Sequence, residues 1–266
     1  MKFPYFKTFW RSISVLVAIG LACYAAMCYA CTQPAREEAR PNLEMDVTGI
    51  GVEVLQHNGF VAGYDESIGQ SRWVVWELND KKLDGPYNRK DFDFGSDPLL
   101  LPSKRVERGD YKGSGYSRGH LCPAADMKWS AEAMGDFHYM TNICPQDQTL
   151  NGKWWEHLEK ACRRWADNSH EGQIWIAAGP IFNTDEFETI GKSVKIAVPD
   201  GFYKVVVSLR EGHEKGIGFI YRNNDSRQTM EDAARTIAHV ERVTGLTFFP
   251  QISEDLKKQK DLRAWN

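Results

Sequence analysis

The sequence lacks a dominant charge of either sign. Its 33 Lys and Arg stand against 36 Asp and Glu, a formal net charge of -3 over 266 residues. That excludes a passive nucleic-acid coat, which is basic throughout, so any contact with a polyanion must come from a local patch. Cysteine is scarce, with six in all. The three in the folded part, Cys122, Cys144 and Cys162, form no Cys-x-x-Cys pair, which is poor spacing for a structural zinc site. There is no internal repeat and no low-complexity tract, which removes solenoids and other repeat arrays. What remains is ordinary globular composition, 42% hydrophobic and 26% charged, with nine Trp and thirteen Phe. That is enough chain for one large domain with an aromatic-rich core.

The chain divides into three. Lys2, Lys7 and Arg11 precede an apolar run from Ile13 to Ala30, so residues 1–31 read as a signal peptide or membrane anchor. Cys31 leaves lipid attachment open. In each case the positive flank stays in the cytoplasm and the domain is exported, to a periplasmic, extracellular or membrane-anchored position. Residues 32–45, with two Pro and many charges, form a flexible tether. Residues 46–266 are the folded domain. In an oxidising compartment two of its three cysteines can pair. Cys122 and Cys144, each two residues from a candidate site residue, are the preferred pair.

Within the domain, Trp73–Leu78 and Gly216–Tyr221 read as strands, and Ile174–Ala178 as a buried strand stopping at Gly179-Pro180. Val194–Val198 and Tyr203–Leu209, joined by Pro199-Asp-Gly201, read as a hairpin. Ala131–Tyr139 reads as a short helix. Trp155, Leu158, Cys162 and Trp165 lie on one face of a helix over 151–165. Met230–Val243 reads as a helix stopped by Gly245. Strands and helices mix without regular βαβ alternation, so the class is α+β with a largely antiparallel sheet.

Arg118 and His120 flank Gly119 in Tyr116-Ser-Arg-Gly-His120. In an extended segment residues i and i+2 share a face, so an always-charged guanidinium and a base of ordinary pKa near 6.5 would face one phosphate together. Gly119 would let the substrate come close. A helix-starting Asn151 offers either a cap or one oxygen to a hydrated divalent cation. Those two uses compete for the same atom. Glu159 is positioned either to hold a metal-bound water or to pair with Arg163 at i+4. Between Pro102 and Lys128 the bases Lys104, Arg105, Arg108, Lys112, Arg118 and Lys128 exceed Glu107, Asp110 and Asp126 by three. Such a patch suits gripping a phosphate backbone without reading bases. Trp129 and Trp154 are candidates for base stacking.

Tyr-Ser-Arg-Gly-His-Leu-Cys-Pro-Ala at 116–124, Thr-Asn-Ile-Cys-Pro-Gln at 141–146 and Asn-Gly-x-Trp-x-x-x-Leu-Glu at 151–159 resemble the DNA/RNA non-specific endonucleases, the ββα-metal or His-Me finger nucleases. Ala-Gly-Pro-Ile-Phe at 178–182, Val-Pro-Asp-Gly-Phe-Tyr-Lys at 198–204 and Thr-Gly-Leu-Thr-Phe-Phe-Pro at 244–250 fit too. The resemblance runs over about residues 60 to 256 and implies a ββα-metal core and hydrolysis of phosphodiester bonds in DNA and RNA. It implies His120 as general base and Asn151 as the single protein ligand of a hydrated Mg²⁺, with Mn²⁺ or another divalent cation as substitutes. Glu159 would orient metal-bound water, Arg118 and Arg89 would bind phosphate, and Asn142 would support the site. Some relatives are dimers, which leaves a homodimer open. The family signature usually has Asp where this chain has Ser117. That departure keeps a binding domain without catalysis as an alternative, beside a zinc-stabilised extracellular module.

Overall fold

Runs of β-branched and aromatic residues build the central sheet, as their spacing predicts. The computed structural model describes residues 46–47, 52–167 and 170–265, within the unit Glu44–Asn266. The expectations for residues 1–45 lie outside the described residues. Seven strands run in the order Ala234–Arg235, Lys215–Arg222, Gly201–Ser208, Gln173–Ile181, Gln70–Asn79, Val61–Asp65 and Glu53–Gln56. Every neighbouring pair is antiparallel, so the α+β class with an antiparallel sheet holds. The central strands are the most apolar, and every residue of Gly201–Ser208 is buried.

Three boundaries differ from the sequence reading. The strand Gln173–Ile181 continues through Gly179-Pro180. Its pairing with Gln70–Asn79 ends at Ala178, while pairing with Gly201–Ser208 runs on to Ile181. Pro180 therefore stands where one side needs no N–H donor, a position a strand proline tolerates. The expected hairpin is absent. Ile196–Ala197 pairs with Thr189–Ile190, and Gly201–Ser208 pairs with strands on either side of it in the sheet. The helix expected over 230–243 is split into Met230–Ala233 and Ile237–Thr244 by the two-residue edge strand between them. Its stop is as expected: Gly245 takes φ 71°, a left-handed cap that glycine adopts without strain.

The site grows from a smaller ββα unit. Ser117–His120 pairs antiparallel with Ile143–Gln146, setting Gly119 opposite Cys144 and His120 opposite Ile143. A helical run follows, with a π-helical turn over Leu150–Trp155 continuing into an α-helix over Glu156–Ala166. Trp155, Leu158, Ala161, Cys162 and Trp165 are buried along it. Trp155 packs against Phe202 and Tyr221 with ring centroids 5.8 and 6.2 Å away, and Trp165 stacks on Phe219 at 6.2 Å. Each such large apolar side chain contributes roughly 1.5–3 kcal/mol by burial, which fixes the helix to the sheet. Cys122, Cys144 and Cys162 are all free and buried. The preferred Cys122–Cys144 pairing is thus corrected: ladder register puts Cys144 across from Gly119, not from Cys122.

Candidate active site

The start of the helical run explains what Asn151 does. Asp147 caps it: Oδ1 accepts from the backbone N–H of Thr149 at 2.8 Å and of Leu150 at 3.0 Å. Asp147 is held in turn by Asn223, whose Oδ1 accepts from the Asp147 N–H at 2.7 Å. The Asn223 amide also donates to the carbonyls of Pro145 and Pro199. With capping done by Asp147, the Asn151 carboxamide is left facing an open cleft of about 760 Å³. The competition between cap and ligand does not arise. Asn223 has no counterpart in the sequence reading. Its Arg-Asn-Asn-Asp-Ser setting announces a turn but not a contact to a residue 76 positions away.

Arg89, Phe94, Arg108, Lys112, Ser117, Arg118 and Asn151 line this cleft, and no carboxylate is among its lining residues. Four cations are thus gathered, Arg89 from one segment and Arg108, Lys112 and Arg118 from a second. Arg108 keeps one exposed ion pair, to Asp93 at 3.3 Å. The other two expected grips lie elsewhere. Lys104 pairs with Glu66 at 2.9 Å and Glu53 at 3.6 Å. Arg105 donates to the carbonyls of Leu100 and Pro98, tying its own loop together. Neither lines the cleft. Trp129 and Trp154 pack against the core and do not line it either.

His120 stands behind Phe94. Its ring stacks on Phe137 at 4.0 Å and 12° and on Phe94 at 5.4 Å and 30°. The Arg118 guanidinium lies over the other partner of that stack, 4.8 Å from the Phe94 centroid. Arg118 and His120 thus share a face, as alternation predicts, but only Arg118 reaches the cleft wall. Nε2 of His120 is buried without a hydrogen-bond partner among the described residues, while the residue as a whole keeps partial exposure. This leaves Nδ1 as the edge from which the ring can act. Burial first, then the nearby His138, Arg89 and Arg118, hold its pKa well below the usual histidine value. The ring is therefore neutral and ready to accept a proton.

Gly119 serves a different purpose from the one expected. A Cβ there would lie 2.2 Å from Oε1 of Gln146, so the glycine makes room for the neighbouring strand's buried glutamine. Asn142, fully buried, accepts from the Cys122 N–H at 2.9 Å and donates to the carbonyls of Cys122 at 2.9 Å and Phe137 at 3.1 Å. It bolts the segment after His120 to the segment carrying Phe137, so it is a positioning residue. Trp155, expected in the core, is there, and its Nε1 also donates to the His120 carbonyl at 3.1 Å. That bond fixes the His120 strand one helical turn from Asn151, about 5–6 Å along the axis.

Glu159 has no ion pair among the described residues, because Arg163 turns to Asp126 at 3.1 Å instead. Burial raises its carboxyl pKa to about 7, with Lys204 the strongest opposing influence. A zinc-stabilised module is not supported. No group of three or more His, Cys, Asp and Glu fit to hold a metal occurs among the described residues. Burial pushes the Cys122 and Cys162 thiols up, the latter to about 12. One free amide oxygen beside a wide, carboxylate-free cleft suits instead a cation that keeps most of its own waters.

Residues 40–255 match the DNA/RNA non-specific endonuclease family. The chain belongs to that family. Among relatives, the mitochondrial nuclease EXOG of Xenopus laevis is 30% identical over 92% of this chain and 76% of its own length. Human mitochondrial endonuclease G is 32% identical over 75% of this chain and 70% of its own length. The match to mouse EXOG covers a smaller share of that protein, 60%. A crystal structure of EndoG in complex with EndoGI superposes with a TM-score of 0.72 and 26% identity, over 79% of this chain and 93% of that one. As a non-specific endonuclease the chain is a nuclease. The same relatives overturn the export expected from the N-terminal apolar run, since they are named as mitochondrial proteins.

Proposed function

We propose that this nuclease cuts phosphodiester bonds within DNA and RNA strands, with Mg²⁺ bound at Asn151 and His120 as the general base. The observation that carries the reading is the uncommitted Asn151 carboxamide in a cleft that also gathers Arg89, Arg118, Arg108 and Lys112. When bound, the cation would offset charge on the phosphoryl oxygens and make the leaving oxygen less basic.

The residues of the chain do the rest. Arg118 and Arg89 fork onto phosphate oxygens and keep their charge at any working pH. Arg108 and Lys112 hold the neighbouring backbone, which carries no base information. His120 takes the attacking water's proton at Nδ1, its neutral form maintained by the Phe94–Phe137 sandwich. Asn142 and Trp155 hold the strand that presents it. Glu159, when ionised, would hold a water of the cation's shell. Ser117 lines the cleft where the family usually has Asp, and its hydroxyl brings no charge there.

The test is incubation of the full chain with supercoiled plasmid and with RNA, first with Mg²⁺ and then with chelator. Nicking and linearisation of the plasmid, degradation of the RNA, and arrest of both by chelator are expected. His120→Ala should abolish both while circular dichroism and melting stay as in the parent. Cleavage indifferent to chelator would exclude the cation, and near-normal activity of His120→Ala would exclude the base.

A further inference from the structure

One charge in the fold has no obvious reason to be there. Lys204, the last residue of the 198–204 motif, is 1% exposed in the middle of a fully buried central strand. It makes no ion pair or hydrogen bond among the described residues. Its Nζ lies over two indoles, 4.2 Å from the centroid of Trp155 and 5.3 Å from that of Trp76. Each indole leads to the site. Trp155 Nε1 holds the His120 carbonyl. Trp76 Nε1 donates to Asp126 at 3.0 Å, and Asp126 in turn holds Arg163 of the site helix.

Burial of an ammonium without a carboxylate is unfavourable, and replacing such a charge by a packed apolar side chain is commonly neutral or stabilising. Stacking on two indoles offsets part of the cost. Lys204 is therefore not explained by stability. Glu159 follows Trp155 by four residues on the site helix, so the two share a face, and the ammonium seated 4.2 Å over the Trp155 ring lies on that side. The other charges acting on Glu159 are Asp126, and Arg163 and Glu156 from its own helix. Arg163 is already committed to Asp126, which leaves Lys204 as the uncommitted cation.

We propose that Lys204 is a positioning residue of the nuclease site: its ammonium, gripped by Trp76 and Trp155, is the buried counter-charge behind Glu159 and the pin between the His120 strand and the site helix. The proposal rests on the role given to Glu159 above. With Lys204 in place a share of Glu159 is ionised at neutral pH and could hold a water of the cation's shell. Without it, burial and Asp126 act on the carboxyl unopposed by an uncommitted cation.

The test compares Lys204→Met and Lys204→Arg with the parent. Lys204→Met should fold, and in metal-free buffer should melt no lower than the parent. Its kcat should fall about fivefold at pH 7 and about tenfold well below it, with KM for plasmid little changed, and the loss should shrink as pH rises, because one unit of acid-limb shift is a factor of ten on the acid side. Lys204→Arg should retain the parent acid limb. Lys204→Met that does not fold, or melts far lower, assigns the lysine to stability and overturns the proposal. A kcat loss equal at all pH values, or Lys204→Arg behaving like Lys204→Met, also overturns it. Failure of the nuclease reading itself is seen separately, as a parent protein that does not cut or cuts in chelator.

Discussion

Asn142→Ala tests how much of the site's geometry hangs on one amide. The side chain is fully buried and makes three hydrogen bonds of 2.9 to 3.1 Å, to Cys122 N–H, Cys122 carbonyl and Phe137 carbonyl. Truncation leaves one donor and two acceptors in a dry interior, with a small cavity besides. At about 1–3 kcal/mol for each buried polar group left unmet, the loss comes to roughly 3–9 kcal/mol. That is a large fraction of the 5–15 kcal/mol typical of a domain. At about 2–4 °C per kcal/mol for a domain of this size, the melting temperature should fall by roughly 6–36 °C. Urea unfolding followed by tryptophan fluorescence gives the free energy directly, and an unchanged m-value shows that the native state is what changed. Because the bonds join the segment after His120 to the one carrying Phe137, kcat should also fall in protein still folded at low temperature. A loss below about 1 kcal/mol would mean that water replaces the amide and that Asn142 does not hold the loop.

Asn151→Ala should give the opposite profile. Its carboxamide makes no hydrogen bond among the described residues, so stability should move by no more than about 0.5 kcal/mol while cleavage falls at least about a hundredfold across a Mg²⁺ titration; matched melts and rates decide this. The pH–rate profile of kcat/KM should have its acid limb near the pKa of Glu159, raised to about 7, and not at His120, whose pKa is pushed well below its ordinary value. An acid limb unchanged in Glu159→Gln would refute that assignment. The linked stability of the metal-free protein follows with opposite signs. The raised Glu159 contributes stability that is present below its ordinary value of 4.5 and lost as pH rises towards 7. The depressed His120 contributes stability that is present above 6.5 and lost as pH falls.

The antiparallel sheet and the ββα order were legible because their signals are local. β-branched runs, glycine stops and an apolar stripe each act within one element. The i, i+2 pairing of Arg118 with His120 was legible for the same reason. The sequence was misleading where a neighbour in space decided the outcome. Pro180 looks like a strand end until the one-sided pairing is known. Gly119 looks like room for substrate until Gln146 is seen to fill it. Cys122 and Cys144 look like a pair until the ladder register separates them. Lys104 and Arg105 read as phosphate ligands because charge is visible in a sequence and its partners, Glu53 and Glu66 for the first and the Leu100 and Pro98 carbonyls for the second, are not. The shielding of His120 depends on Phe94 and Phe137, which lie on either side of it in the chain and come together on its ring and that of His138. Lys204 was visible only as the last residue of the 198–204 motif, since nothing local marks a lysine as lying between two indoles.

The helical run that carries Asn151 and Glu159 opens with a π turn, which closes its rings at i+5 and so holds one residue more than the α turn it replaces. Removing one of the exposed residues of the Leu150–Trp155 stretch, Gly152 or Lys153, would let the coil wind uniformly, a change that ordinarily strengthens a helix. The same excision would swing the amide of Asn151 round the axis relative to Glu159 and slide Trp155 off the His120 carbonyl. A shortened protein of this kind should be sturdier and idle, and the surplus residue is what keeps the two ends of the site aimed at the same point.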